Sequence, residues 1–431
     1  MTKPTRSQQQ HCADLAQFIS ASPSSYHAAA EIRRRLNLSG FVYQNESEGL
    51  SGKPGQYFAI RDGAVIAWII PESETPRGFR IVGSHNDSPA LKLKPSGSHV
   101  TADGYGLIDV EIYGGMLLNS WLDREIGFAG RLIDHSGKEH LVETGPIARI
   151  PQLAIHLDRE VTSEGLTLDK QRHMQPIWTH VEDEAPCIFE FLASRADIDT
   201  DAIAGHDIVS YPTEAPATFG ASGEFFAASR QDNLSSVHAS LVAFEKIAQT
   251  GLTGPDIAVF AAFDHEEVGS STRSGAAGPF LENLLRRIAL SIGDSEDTYY
   301  QMLAESSCIS ADAAHWVHPN YSERHDPRNH PVPGGGPILK LNANQRYATD
   351  GAGSALWNRA CEKAGVPHQE FVSHNSVPCG STIGPFIATR TGITTVDVGI
   401  GLLSMHSARE LSHVADHTYL STVLETYWED A

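Results

Sequence analysis

Residues 257–271, IAVFAAFDHEEVGSS, combine a short apolar run with an abrupt cluster of charged side chains. The run IAVFAAF contains β-branched, aromatic and small residues, which is typical of a strand that is buried on both faces. The polar residues from Asp264 to Glu267 therefore follow the carboxyl end of a predicted strand. Because open α/β sheets bind their ligands at that edge, this stretch predicts both a fold class and the place of a site.

The adjacent carboxylates of Glu266 and Glu267 leave the predicted strand in different directions. One of them can hold a metal ion while the other faces a substrate and moves protons. The alternative is a solvated acidic turn, since acidic residues are mostly exposed. The choice between the two depends on whether the rest of the chain supplies partners.

The composition excludes several classes of partner. The 431 residues carry a net charge of −21, which argues against binding to nucleic acid or to an anionic membrane. Five cysteines lie far apart without a CxxC pair, which indicates reduced thiols and predicts a cytoplasmic protein. The longest apolar run, residues 64–70, is too short to span a bilayer.

The pattern on both sides of this stretch predicts a doubly wound, mostly parallel α/β sheet. Short apolar runs at residues 79–82, 308–310 and 394–398 read as further strands, and helical periodicity separates them. Residues 96–222 instead form short alternating segments with many glycines, and residues 159–180 read as a loop. We therefore predict a discontinuous α/β domain, residues 1–95 and 223–431, with an inserted β-rich domain at residues 96–222.

Candidate metal ligands recur at the predicted strand ends. They are His85, Asp232, Glu267, Asp312 and His406. Imidazoles and carboxylates without a thiolate suit a pair of divalent ions such as zinc, cobalt or manganese, and one carboxylate can bridge the two. Asp87 follows His85 closely enough to accept its other ring N–H and fix the ring.

Each of these residues also has an ordinary structural interpretation. Asp232 with Asn233 could cap a helix, His85 could be a core histidine, and Asp312 could form a turn. The repetition of ligand types at one edge of the sheet favours the metal site.

Seven motifs make the chain recognisable. In order they are VGSHNDSPALKLKP, SRQDNLSS, FDHEEVGSSTRSGA, SADAAH, LKLNANQRYATDG, PCGSTIGP and SMHSARE. Together they closely resemble the aspartyl aminopeptidases, dinuclear-metal exopeptidases that remove acidic N-terminal residues. The resemblance extends over almost the whole chain.

The resemblance implies a role for each candidate residue. His85, Asp232 and Asp312 would hold one metal ion, and Asp232, Glu267 and His406 the other, so that Asp232 bridges them. Glu266 would be the general base, and Asp87 would orient His85. The expected cofactor is a pair of divalent ions, with zinc first and cobalt or manganese as alternatives.

The resemblance also implies how substrate and neighbouring subunits are bound. His315, Lys340 and Tyr347 would contact the substrate, with Lys340 pairing with its acidic side chain. On the residues alone, an edge-strand lysine that prevents aggregation is the preferred interpretation of Lys340. The inserted block would be a dimerisation domain whose His156 reaches the neighbouring active site, and dimers would assemble into a tetrahedral dodecamer.

Two other classes of function stay open at this point. The chain could be a metal-dependent amidohydrolase that acts on N-acyl amino acids, or a non-enzymatic assembly or cargo protein that retains the fold. A further metal site at His318, His325 and His330 is not favoured, because their spacing matches no ligand pattern. Asp264 and His265 are expected to support the strand exit without taking part in the chemistry.

Overall fold

The computed structural model describes residues 3–72, 76–181, 186–293 and 295–429. Its strands are β1 (Val42–Tyr43), β2 (Gly55–Arg61), β3 (Ala64–Ile70), β4 (Phe79–His85), β5 (Ala90–Val100), β6 (Tyr105–Tyr113), β7 (Glu125–Asp134), β8 (Glu139–Glu143), β9 (Ala148–Arg149), β10 (Ile177–His180), β11 (Ile203–Pro212), β12 (Ala217–Phe219), β13 (Phe225–Ala228), β14 (Ile257–Phe263), β15 (Ser307–Ala311), β16 (Ala314–His315), β17 (Ile338–Leu341), β18 (Gln369–Val372), β19 (Thr394–Gly399), β20 (Gly401–Leu402) and β21 (Glu410–His413). Its α-helices are α1 (Arg6–Ala21), α2 (Ser25–Leu38), α3 (Val161–Glu164), α4 (Ile188–Arg195), α5 (Gln231–Thr250), α6 (Phe280–Ile292), α7 (Glu296–Ala304), α8 (Gly351–Ala364), α9 (Gly384–Thr391) and α10 (Val414–Glu429).

The central sheet has nine strands within the described ranges, in the order β1-β2-β3-β14-β4-β15-β19-β17-β18. The middle strands β14, β4, β15 and β19 are parallel neighbours, while β3 and β17 run antiparallel to the strands beside them in the middle of the sheet. All seven residues of β14 are buried, as the apolar run predicts. The prediction of a mostly parallel α/β sheet is confirmed.

Helices cover both faces of this sheet, which is the doubly wound arrangement. On one face, α1, α2, α5, α8 and α10 pack against the sheet in one apolar core. On the other face, α6, α7 and α9 contribute to a second core. Alternate residues of β14 point to the two cores, since Phe260 lies in the first and Val259 in the second. This two-sided burial explains why the strand shows no polar alternation.

A second, antiparallel sheet is inserted between β4 and β13. Its order is β11-β5-β6-β10-β9-β7-β8, and an additional pairing of β11 with β7 closes it into a barrel. The barrel has its own core, which includes Ile126, Phe128 and Ile208. An inserted β-rich unit was expected here, although the predicted boundary at residue 96 falls inside β5.

One local prediction in the inserted block was wrong. Residues 159–180 were expected to be a loop, but Val161–Glu164 form the short helix α3 and the last four residues form β10, which pairs with β6. The helix α4 lies in the same block, which is otherwise mostly β as predicted. The pairing of β10 depends on contacts with sequence-distant residues, which local periodicity does not reveal. No described helix is both long enough and apolar enough to cross a membrane.

Candidate metal centre

The carboxyl edge of the central sheet collects the first candidate residues. His85 is the last residue of β4 and lies opposite Phe263, the last residue of β14, in the parallel register. Asp312 follows β15, the neighbour of β4 on its other side. Parallel pairing therefore brings side chains from three separate strand ends to one place, as the sequence predicts.

Asp232 reaches the same place from the start of α5. Its backbone is not helical (φ −80°, ψ 104°), and its Oδ1 accepts no hydrogen bond from the described part of the chain, the N–H groups of the helix included. The carboxylate is directed instead at two imidazoles, with Oδ1 3.4 Å from His85 Nε2 and Oδ2 3.3 Å from His406 Nε2. The helix-cap interpretation of Asp232 is therefore wrong.

The remaining two carboxylates each approach one of these imidazoles. Asp312 Oδ1 lies 3.5 Å from His85 Nε2, and Glu267 Oε2 lies 3.4 Å from His406 Nε2. The five side chains thus form two imidazole–carboxylate pairs, and Asp232 lies between them. Ligand atoms of His85, Asp232 and Glu267 all lie within 4.8 Å of one another, so the two pairs and Asp232 form one compact cluster of candidate ligands.

The burial and hydrogen bonding of these oxygens fit divalent cations. Asp232 Oδ1 and Glu267 Oε1 are buried and accept no hydrogen bond from the described residues. Buried carboxylate oxygens are costly without a partner, and a divalent cation is a partner that both of these oxygens could bind. Burial raises the pKa of Glu267 well above its ordinary value, and the neighbouring charge of Asp232 raises it further.

The pKa values of the two histidines are raised as well, which in an imidazole favours the charged form. Burial lowers the pKa of His406, but the carboxylates of Asp232 and Glu267 raise it more, to about 10. Burial also opposes the charge on His85, yet the surrounding carboxylates hold its pKa well above the ordinary value. The centre therefore stabilises positive charge at the Nε2 atoms, where neutral imidazoles would bind ions.

The other ring nitrogens are held by the protein. His85 Nδ1 lies 3.1 Å from the main-chain oxygen of Asp87, and His406 Nδ1 lies 3.0 Å from that of Gly115. Such contacts fix the tautomer and direct Nε2 toward a metal. Gly115 lies in the inserted block, so that block helps to form the site.

Asp87 does more than the sequence predicts. Its carboxylate lies 3.3 Å from His85 Nδ1, in line with the orienting role. The same carboxylate accepts hydrogen bonds from the backbone N–H groups of Glu266 and Glu267 at 3.0 and 3.1 Å, and from the hydroxyl of Tyr113 at 2.7 Å. Asp87 thus fixes the turn that carries both glutamates, a link that sequence spacing does not reveal.

Glu266 lies beside the centre without joining either imidazole–carboxylate pair. Its Oε2 is 4.0 Å from His85 Nε2, and its side chain is 17% exposed. Burial raises the pKa of Glu266 to about 8, with the charges of Asp312 and Asp232 acting in the same direction and His85 opposing them. A partly accessible carboxyl group with a pKa near neutrality is suited to general acid–base chemistry.

The three predicted substrate-contacting residues lie on one side of the centre. Lys340 is 1% exposed, and its Nζ lies 5.0 Å from the ring centroid of Tyr347. His315 is an exposed residue, and its ring packs 5.8 Å from that of Phe371. The Lys340 ammonium group donates to the main-chain oxygens of Asp312 and Ala313 at 3.0 and 2.9 Å. The ammonium group thus contacts the metal centre directly.

Other candidates from the sequence lie outside the centre. His156 is exposed on the segment after β9, and no described contact joins it to the metal centre of its own chain. Asp264 is buried and accepts a hydrogen bond from the backbone N–H of His265 at 3.0 Å, in keeping with a role at the strand exit. The backbone N–H of His318 donates to His325 Nε2 at 3.0 Å, so this imidazole is engaged by the chain.

Two buried carboxylates near the site were missed by the sequence analysis. Glu410 accepts hydrogen bonds from the backbone of Asp232 and His406. Asp397 accepts them from Ser310, Thr382 and Ala348 at 2.6 Å each. Glu410 is the last residue of the motif SMHSARE, which was a signal that the sequence analysis did not use, while Asp397 lies within the buried part of β19.

Comparisons with known proteins match the chain to a family of zinc metalloproteases. Residues 18–428 match the family described as Aminopeptidase I zinc metalloprotease (M18). The chain is 47% identical over 437 residues to the probable M18 family aminopeptidase 2 of Streptomyces coelicolor, and the match covers 99% of each chain.

Solved structures show the same fold. A chain in the structure of the Ape4 and Nbr1 complex superposes with a TM-score of 0.93 at 32% identity, over 100% of this chain and 88% of that one. The S. cerevisiae mApe1 dodecamer gives a TM-score of 0.87 at 27% identity, over 99% and 98% of the two chains. The similarity thus includes both the α/β part and the inserted barrel.

Proposed function

Because the chain belongs to the M18 family of zinc metallo-aminopeptidases, we propose that it hydrolyses the peptide bond after an N-terminal Asp or Glu. The observation that carries this proposal is the Asp232 carboxylate, whose two oxygens face the imidazoles of His85 and His406 at 3.4 and 3.3 Å. A carboxylate placed in this way can bridge two divalent ions, which is the arrangement that a two-metal hydrolase needs.

The imidazole–carboxylate pairs support a division of the ligands between two ions. One ion is assigned to His85, Asp232 and Asp312, and the other to Asp232, Glu267 and His406. Zinc suits these nitrogen and oxygen ligands, and cobalt or manganese suits them as well. When bound, the two ions would polarise the scissile carbonyl and lower the pKa of the attacking water.

Glu266 is the general base and acid in this proposal. Its carboxylate takes a proton from the attacking water and returns it to the leaving amine. Burial raises its pKa to about 8, so the carboxyl group can hold the proton near neutral pH between the two transfers. Asp87 keeps it in place by accepting a hydrogen bond from its backbone N–H at 3.0 Å.

The preference for an acidic residue rests on Lys340. This lysine is a buried cation beside the metal centre in a chain of net charge −21. It therefore provides a local attraction for an acidic substrate side chain, which the net negative charge of the whole chain would repel. Its contact with Asp312 Oδ2 is the longest of its three, at 3.4 Å, and is the one that an acidic side chain would replace. His315 and Tyr347 line the same side and complete the proposed pocket.

Assembly into dimers, and of dimers into a tetrahedral dodecamer, is the second part of the proposal. Leu153, Ile155 and Leu157 are 60%, 48% and 75% exposed on the segment that carries His156. A short run of exposed apolar side chains is typical of a surface that a partner covers. In this assembly His156 reaches the active site of the neighbouring subunit, and the S. cerevisiae relative mApe1 is a dodecamer.

We also place the protein in the cytoplasm. All five cysteines are free thiols, and Cys12, Cys308 and Cys361 are buried in the cores of the α/β part. Reduced thiols of this kind suit a reducing compartment.

The decisive experiment compares matched peptides on the zinc-loaded protein. Peptides that begin with Asp should show kcat/KM at least about tenfold above those that begin with Asn, a difference of about 1.4 kcal/mol. N-acetylated Asp peptides should not be cleaved, because the proposal requires a free α-amino group. Equal rates for Asp and Asn would remove the acidic preference. Faster cleavage of the acetylated peptide would favour the amidohydrolase, and no cleavage with zinc, cobalt or manganese would favour the assembly or cargo role.

A further inference from the structure

Glu410 joins two of the proposed metal ligands through their backbones. Its Oε2 accepts a hydrogen bond from the Asp232 N–H at 3.1 Å, and its Oε1 accepts one from the His406 N–H at 2.7 Å. The residue is 1% exposed. We propose that Glu410 is a positioning residue that sets the separation of Asp232 from His406 and thereby the affinity of the metal site that they share. This inference rests on the ligand roles in the proposed function.

Both backbone N–H groups lie where the chain has an irregular conformation. His406 has φ 65°, in the left-handed region that residues other than glycine rarely adopt. Asp232 has non-helical angles at the start of α5. A buried N–H group in such a segment has no partner in a regular helix or sheet, so it needs another hydrogen-bond acceptor. The carboxylate of Glu410 is the acceptor for the N–H groups of both ligands.

Glu410 is itself held firmly. It begins β21, where it pairs with Ala228 of β13, the strand that leads into α5. Its main-chain oxygen accepts a hydrogen bond from Gln231 Nε2 at 2.8 Å. The oxygen of the Gln231 side chain accepts one from Ser412 on the same strand. The carboxylate is therefore a fixed point between the start of α5 and the loop that carries His406.

The separation of Asp232 from His406 is important because both residues are proposed ligands of the same ion. Their ligand atoms, Asp232 Oδ2 and His406 Nε2, lie only 3.3 Å apart. Metal affinity depends on keeping such ligand atoms in place before the ion arrives. Loss of an outer hydrogen-bonding partner typically lowers metal affinity by about 10–100-fold. We expect a loss of this size at the ion shared by Asp232, Glu267 and His406.

Asp416 offers a matched control. It is a buried carboxylate that also accepts two backbone hydrogen bonds, from Gly334 and Gly336, each at 3.0 Å. Neither glycine is a proposed ligand, and no described contact links Asp416 to the metal centre. Substitution of either acid by its amide replaces one of two acceptor oxygens by an N–H₂ group. Only Glu410→Gln should disturb the ligands.

The test measures Zn²⁺ affinity by competition with a chromophoric chelator on the metal-free full chain, together with the melting temperature of each metal-free variant. Both amide variants should melt at a lower temperature than the wild type. Glu410→Gln should bind one of the two Zn²⁺ ions about 10–100-fold more weakly, while Asp416→Asn should stay within about threefold of the wild type. Glu410→Asp keeps the charge but is too short to reach both N–H groups. Glu410→Asp should weaken the binding of the same Zn²⁺ ion, and it takes the place of Glu410→Gln in the test if that variant does not fold.

Equal Zn²⁺ affinities for the Glu410 variants and Asp416→Asn would overturn the inference, because Glu410 would then have only a general structural role. Wild-type protein that binds two Zn²⁺ ions and cleaves peptides in the same experiment would leave the proposed function intact. Wild-type protein that binds no Zn²⁺ would overturn both.

Discussion

The Nζ atom of Lys340 lies 3.0 Å from the main-chain oxygen of Asp312 and 3.4 Å from its Oδ2. The ammonium group of Lys340, which belongs to the proposed substrate pocket, therefore contacts a proposed metal ligand. This arrangement links the recognition of the substrate to the metal centre.

Lys340→Met should consequently have two effects. It should raise KM for substrates that begin with Asp or Glu at least about tenfold more than for those that begin with Leu, because the substrate carboxylate loses its cation. It should also weaken Zn²⁺ binding, since Asp312 loses two contacts. Steady-state kinetics with both substrate types, and chelator competition, measure the two effects.

Arg346→Ala, on the exposed loop after β17, is the control that should leave the preference for acidic substrates intact. Equal KM changes for acidic and neutral substrates would remove Lys340 from the pocket.

Asp397 should affect substrate binding without affecting the metals. Its fully buried carboxylate accepts hydrogen bonds from the backbone N–H of Ala348, beside Tyr347, and from the hydroxyl of Thr382. Asp397→Asn should loosen both loops and raise KM about tenfold, since a hydrogen bond to a charged group contributes about 1.5–3 kcal/mol. Kinetics and zinc content measure the outcome. Thr382→Val removes one donor and should have a smaller effect. An unchanged KM, or loss of zinc, would contradict this role for Asp397.

The trans role of His156 can be tested by mixing subunits. His156→Ala and Glu266→Gln chains should each be inactive alone, and co-refolding them should restore about a quarter of the wild-type activity if dimers form at random. In a mixed dimer, the chain with an intact Glu266 receives an intact His156 from its neighbour. No recovery, in mixtures that light scattering shows to be dimeric or larger, would mean that His156 does not act in trans.

Buried histidines should make the chain sensitive to acid. His417 is fully buried, and burial lowers its pKa well below 6.5, with the charges of His11 and His238 acting in the same direction. The folded state thus binds fewer protons than the unfolded state, so stability is complete above about pH 6.5 and falls as the pH drops. The slope should be up to about 1.4 kcal/mol per pH unit for each proton taken up.

Urea unfolding of the metal-free chain between pH 7 and pH 5 measures this dependence. His417→Gln can keep the contact that His417 Nε2 makes with Ser412 Oγ at 2.7 Å, but it cannot take up the proton. The variant should therefore lose less stability than the wild type over this range. An identical slope for the two proteins would show that His417 does not contribute.

The sequence was most informative where chemistry and local pattern coincide. The apolar run before Asp264 predicted the buried strand β14, and His85 and Asp312 were expected at the neighbouring strand ends because parallel strands share one edge. These expectations needed only local periodicity and residue type. The division into two metal sites, in contrast, came from the resemblance to a family.

What the sequence did not reveal depends on long-range contacts. Glu410 and Asp397 read as ordinary acids, and their importance appears only when the N–H and O–H groups of distant segments converge on them. The strand β10 was missed because its pairing partner β6 lies about 70 residues earlier in the chain, and local sequence does not encode such pairing. The contacts of Lys340 with Asp312 and Ala313 also join separate segments of the chain, so the local sequence did not reveal them either.

Activity and metal content of Glu266→Gln, measured on the same preparation, test the central claim most directly. The amide cannot take a proton from water, while the backbone hydrogen bond to Asp87 and the five proposed ligands are unchanged. We predict that the variant retains two zinc ions per chain and loses about 10²–10⁴-fold in kcat on Asp-initiated peptides. Full activity, or the loss of both metal ions, would contradict the role of Glu266 as the group that moves the proton.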